Sequence, residues 1–131
     1  MTRYLADTYA FIEALGGNAR YARIMGGGHH VTTAMNVQEL HYAMLRAGVS
    51  VEEAERIAGA VLPLVADVPP AVAVVAARTR FRVNHALANS KSPSRMSHVD
   101  AWGYEAARAL GLRFLTGDPV FRRMDGVEFV R

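Results

Sequence analysis

The chain has 131 residues, of which 51% are hydrophobic and 21% charged, with a formal net charge of +3 and no cysteine; this suits one globular domain with its own core. Disulfides and thiolate metal sites are excluded, and no apolar run reaches the ~18–20 residues of a membrane-spanning helix. The opening residues, Met1 to Asp7, lack the apolar stretch of a signal peptide, so a cytoplasmic protein without a membrane partner is expected.

In chain order, Tyr4–Asp7 reads as a short buried strand and Thr8–Leu15 as a helix ended by Gly16-Gly17. Ala19–Met25 reads as a second helix, broken by Gly26-Gly27-Gly28. The β-branched run Val31-Thr32-Thr33 predicts a strand. Asn36 then reads as the N-cap of a helix over Val37–Ala47, with Gly48 past its end. Ser50, with Glu53 three residues on, has the form of a capping box opening a helix to about Val61. Val65–Val68 predicts a strand stopped by Pro69-Pro70, and Ala71–Ala88 a long helix. Asn89–Arg95 is a polar loop, Ser97 opens a helix to Leu110, and Arg113–Thr116 reads as a strand. Asp118-Pro119 starts a short turn before a last strand, Val127–Val130.

This order predicts an α/β fold: a three-layer sandwich with a mainly parallel central sheet of about five strands, flanked by helices. In such sheets ligands bind at the carboxyl ends of the strands, near the topological switch point. Asp7 and Asp118 both follow predicted strands, so both fall on that edge. Glu39 and Asp100 stand near predicted helix starts in apolar contexts. Each of the four also reads as a cap. Asp7 and Asp118 precede helical turns, Asn36-x-x-Glu39 has the capping-box form, and Ser97-x-x-Asp100 is its shorter-armed relative. Four carboxylates brought together would repel one another and recruit a hard divalent cation, Mg²⁺ or Mn²⁺, one or two ions.

Charge elsewhere is uneven. No acid occurs between Asp67 and Asp100, while Arg78, Arg80, Arg82, Lys91 and Arg95 do, which suits a polyanion or a solvated face. The spacing of two spreads the three arginines around a helix. His29-His30 are adjacent in an extended segment, so their side chains diverge and joint chelation is not expected. Tyr9, Phe11 and Ile12 read as core or dimer contacts.

Four stretches carry a resemblance: Tyr4-Leu5-Ala6-Asp7-Thr8-Tyr9-Ala10-Phe11-Ile12-Glu13; Val31-Thr32-Thr33-Ala34-Met35-Asn36-Val37-Gln38-Glu39-Leu40; Met96-Ser97-His98-Val99-Asp100-Ala101-Trp102-Gly103-Tyr104; and Phe114-Leu115-Thr116-Gly117-Asp118-Pro119-Val120-Phe121, running on to Gly126–Val130. In this order they resemble the PIN domain, specifically the VapC-type ribonuclease toxins of type II toxin–antitoxin systems. The Gly26–His30 turn and Trp102 depart from the usual pattern. The resemblance implies a PIN fold and metal-dependent endoribonuclease activity on RNA. It implies Asp7, Glu39, Asp100 and Asp118 as metal ligands, Thr116 as an orienting hydroxyl, and Thr8 in a similar part. It also implies a homodimer and a small antitoxin partner. Two other readings stay open: an RNA-processing PIN nuclease without an antitoxin, and a PIN-like binding module in which the acids are caps or docking groups.

Overall fold

A computed structural model describes residues Met1–Arg131. The chain runs β1 (Tyr4–Ala6), α1 (Thr8–Leu15), α2 (Ala19–Gly26), β2 (His30–Val31), α3 (Ala34–Arg46), α4 (Val51–Val61), α5 (Val72–Ala86), α6 (His98–Ala109), β3 (Arg113–Thr116) and β4 (Val127–Phe129). Short 3-10 turns cover Leu62–Leu64 and Pro119–Phe121. The four strands form one sheet in the order β2-β1-β3-β4, every pair parallel. Parallel pairing requires the long helical crossovers the chain supplies. No helix is long and apolar enough to cross a membrane.

Period-two alternation decides the layers. In β1, Leu5 and Ala6 face opposite ways, and in β3 so do Phe114 and Leu115. Leu5 and Phe114 join a buried cluster with Val72, Ala76, Ala101, Tyr104 and Phe121, which brings α5 and α6 onto one face. Ala6 and Leu115 join a second cluster with Phe11, Tyr21, Leu40, Ala54 and Val61, which brings α1 to α4 onto the other. Helices therefore cover both sides of a sheet buried at its centre, where Leu5, Ala6, Phe114 and Leu115 are all 0% exposed. Gly103 lets α6 lie close on β3: a Cβ there would meet the Phe114 ring at 2.9 Å.

Several details differ from expectation, among them β2, which covers His30–Val31 rather than Val31–Thr33. The sheet has four strands rather than about five, because the predicted strand Val65–Val68 shrinks to a single parallel bridge between Val65 and Thr32. Pro63 sits in the 3-10 turn just before it, and Pro69, which has no N–H to donate, lies just after. The ladder therefore closes on only two backbone bonds, Thr32 N–H to Leu64 O and Ala66 N–H to Thr32 O. In α3 the N-cap is Thr33, not Asn36; the Thr33 hydroxyl accepts from the Asn36 amide, and the helix begins three residues earlier than expected. Ser50 caps α4 as expected, but Glu53 pairs with Arg56 one turn on instead of closing a capping box.

Candidate active site

β1 and β3 are neighbours, with β2 and β4 lying outward on opposite sides. The crevice beyond their carboxyl ends is the switch point of this sheet. Asp7 leaves β1 there, and its backbone N–H still donates to Leu115 O at 3.0 Å, which extends the pairing by one residue. Its carboxylate then caps α1, accepting from Thr8 N at 2.8 Å through Oδ1. On the β3 side, Thr116 ends the strand, and its hydroxyl donates to Asp7 Oδ2 at 2.8 Å. The same hydroxyl accepts from the Asp118 N–H at 3.1 Å. One buried threonine thus fixes Asp7 and the start of the Asp118 turn against each other.

Asp118 caps the following 3-10 turn through Val120 N at 3.1 Å, with Pro119 at the first position, where no donor is needed. Gly117 between them is required by space. A Cβ there would lie 2.5 Å from the Tyr9 ring and 2.7 Å from the Tyr21 hydroxyl, and would press on Val130 O. Asp100 sits in the first turn of α6 in a reciprocal capping box. Its Oδ2 accepts from Ser97 N at 2.9 Å while Ser97 Oγ accepts from Asp100 N at 3.1 Å. The lead-in to α6 is itself clamped by α5: Asn84 bonds both backbone groups of Met96, at 2.8 and 3.0 Å, and Arg80 Nε donates to Met96 O at 3.0 Å.

With Thr33 as cap, Glu39 lies one turn beyond Asn36 and is freed from capping. Its carboxylate makes no hydrogen bond to Asn36 and faces the cleft from α3. Asn36 is instead a buried connector. Its Nδ2 donates to Thr8 Oγ1 at 3.1 Å and, more weakly, to Asp7 Oδ1 at 3.4 Å, while its Oδ1 accepts from Thr33 Oγ1 at 2.7 Å.

These pieces line one cleft of about 290 Å³, whose wall includes all four acids with Thr8, Tyr9, Ile12 and Ser97. The electrostatics carry the same convergence. Asp7, 2% exposed, has its carboxyl pushed up to about 8, by burial first and then by the charges of Asp100 and Glu39, against the hydrogen bonds from Thr116 and Thr8. Burial also raises the Asp100 carboxyl, opposed by the Ser97 amide and reinforced by the charges of Asp118 and Glu39. Asp7 thus feels Asp100 and Glu39, and Asp100 feels Asp118 and Glu39, across the one cleft.

They are not drawn into a finished cation cage. No group of three or more His, Asp or Glu side chains in this structure is arranged to hold a metal ion. Asp7, Asp100 and Asp118 each turn an oxygen to a backbone N–H instead. The donor chemistry nevertheless suits a hard divalent ion: every candidate ligand is a carboxylate, each carboxylate keeps at least one lone pair without a hydrogen bond, and a cation would offset the burial and the neighbouring charges that raise Asp7.

Tyr9 and Ile12 stand on the cleft wall, whereas Phe11 is core, as expected. His29 and His30 diverge: His29 Nδ1 lies 2.8 Å from Met1 O, and His30 packs edge-on to Phe11. Arg80 turns toward Met96 and His98, while Arg78 and Arg82 border a separate hollow with Arg108. Two features escaped the sequence reading: the Asn36 connector and the α5 clamp on Met96. The first had a signal in Thr33-x-x-Asn36, a better-placed cap than Asn36 itself. The second had none, because nothing local in the polar loop between α5 and Met96 shows that it folds back onto the helix. Comparison of the chain with protein-family models and with curated proteins found no match.

Proposed function

We propose that this chain is a metal-dependent endoribonuclease of PIN type, the toxin of a VapBC-type toxin–antitoxin pair. The observation that carries the reading is the meeting of Asp7, Glu39, Asp100 and Asp118, from β1, α3, α6 and the β3 end, on one cleft at the switch point of a parallel sheet. Asp7 would be the anchoring ligand, held by Thr116 and Thr8. Glu39, Asp100 and Asp118 would complete the set by turning toward it. One or two bound Mg²⁺ or Mn²⁺ ions would supply an activated water and neutralise charge on the phosphodiester. Thr116 would keep Asp7 oriented, and Ser97 would hold Asp100 at the α6 start. The reading needs no covalent enzyme intermediate. The same reading gives the chain a small antitoxin and a second copy of itself as partners.

The test is cleavage of single-stranded RNA by the purified chain. Cleavage should need Mg²⁺ or Mn²⁺, stop in EDTA, and vanish in Asp7→Asn and Asp118→Asn. Full activity in EDTA, or in both variants, overturns the reading. A specific observation favours a second reading, a binding module without metal: three of the four carboxylates already cap backbone amides. Absence of Mn²⁺ binding by calorimetry, with no cleavage, selects it.

A further inference from the structure

Consecutive residues at the start of α6 line two different spaces. Ser97 lines the cleft, and the next residue, His98, lines a neighbouring space of about 400 Å³ between α5 and α6. That space is walled by Arg80, Phe81, Asn84 and His85 of α5. Phe81 is 73% exposed, which for a phenylalanine in mid-helix leaves apolar surface in water. It is not isolated: its ring lies nearly parallel to that of His85, one turn on, at 14° and 5.8 Å between centroids. Arg80 reaches across to His98, with Nη1 2.7 Å from Nε2. No acid lines this space, and the segment that supplies most of its wall, Val68 to Val99, contains none; of its arginines Arg80 borders the space, while Arg78 and Arg82 border the hollow beside Arg108.

A flat aromatic pair beside a guanidinium, inside an acid-free segment, is the combination that takes an unstacked base with its phosphate. A protein partner would be equally served by the apolar surface but has no need of the Arg80 guanidinium set beside the ring pair with no acid on the wall. We propose that Phe81 and His85 form a stacking platform, and Arg80 with His98 a phosphate contact, for a nucleotide of single-stranded RNA flanking the one in the acid cleft. The choice of RNA rests on the ribonuclease reading; the platform itself rests on the ring geometry and the charge.

Binding can be read without turnover, as fluorescence anisotropy of a fluorescein-labelled oligouridylate with the full chain in EDTA. Phe81→Leu keeps the apolar bulk but removes the ring, and should weaken binding roughly tenfold, whereas Phe81→Trp should retain it. Arg80→Ala should flatten the salt dependence by about one phosphate contact. Wild-type affinity in Phe81→Leu overturns the platform, as does failure of the wild-type chain to bind the oligonucleotide. Conversion of a dimer to a monomer by Phe81→Leu, with RNA affinity unchanged, also overturns it and gives the surface to a second copy. The two proposals fail separately. Ring-dependent binding without metal-dependent cleavage leaves the platform standing and removes the nuclease. Cleavage with ring-independent binding does the reverse.

Discussion

Replacing Asp7 by Asn should stabilise the metal-free protein near neutral pH while destroying the candidate site. The folded state raises the Asp7 carboxyl from 3.8 to about 8. Between those values the unfolded chain ionises Asp7 and the folded chain keeps its proton. The folded state then binds more protons, so stability falls as pH rises through that window. At pH 7 the difference spans about 3 units, or about 4 kcal/mol at ~1.36 kcal/mol per unit. Asparagine removes this penalty. It keeps an acceptor for Thr8 N but presents an amide to Thr116, whose hydroxyl already accepts from Asp118 N; that mismatch costs about 1 kcal/mol. The net gain of about 3 kcal/mol corresponds to a rise in Tm on the order of 10 °C for a domain of this size. Thermal unfolding in EDTA, followed by circular dichroism from pH 4 to pH 8, should show the two proteins nearly level at pH 4 and separating steadily above it. Saturating Mn²⁺ should raise the wild-type Tm and close the gap, because an ion bound only to the folded state adds to its stability. Equal Tm values at pH 7 in EDTA, or a gap that does not change with pH, would refute the claim that burial and neighbouring carboxylates strain Asp7.

Other positions separate scaffold from chemistry. Thr116→Val takes a donor from Asp7 and an acceptor from the Asp118 amide; it should cost about 1–3 kcal/mol in denaturant unfolding and lower RNA cleavage, whereas Thr116→Ser should recover most of both. Gly117→Ala forces a Cβ against Tyr9, Tyr21 and Val130, so its loss should be at least ~1–3 kcal/mol in the same measurement. Asn36→Leu leaves Thr8 without its amide donor and Thr33 without its acceptor, and should destabilise by about 1–3 kcal/mol. Glu39→Gln touches no hydrogen bond of the fold, so it should leave the urea midpoint within about 0.5 kcal/mol of wild type and still reduce Mn²⁺ affinity in calorimetry.

How much of this was legible in the sequence depends on the range of the interaction. Asp7 and Asp118 could be placed on one edge because each follows a short apolar strand, and strands of a parallel sheet run the same way. Their juxtaposition through a single Thr116 hydroxyl was not readable, since it joins residues 109 apart. Caps were legible as a class but not always in register. Asn36 and Thr33 both suit an N-cap, and the helix started at Thr33 because that leaves Asn36 buried against Thr8 and Asp7, a tertiary reason invisible locally. Glu39 illustrates the consequence: the sequence offered it as half of a capping box, and the shift of the cap released it to the cleft. The lost fifth strand had local signals in Pro63, in the turn just before it, and Pro69-Pro70 just after, which leave little room between them for a ladder. Glu39 and Asp100 come from helices on opposite faces of the sheet, so only the resemblance, not the strand pattern, pointed to their meeting Asp7.

The most direct measurement is a crystal soaked in Mn²⁺ and read at the manganese absorption edge. The four-acid cleft should hold one or two anomalous peaks in contact with Asp7 and with carboxylates of Glu39, Asp100 or Asp118 that have turned inward to meet them. An empty cleft at saturating Mn²⁺, with the carboxylates still capping their helices, would contradict the metal centre and the nuclease reading built on it.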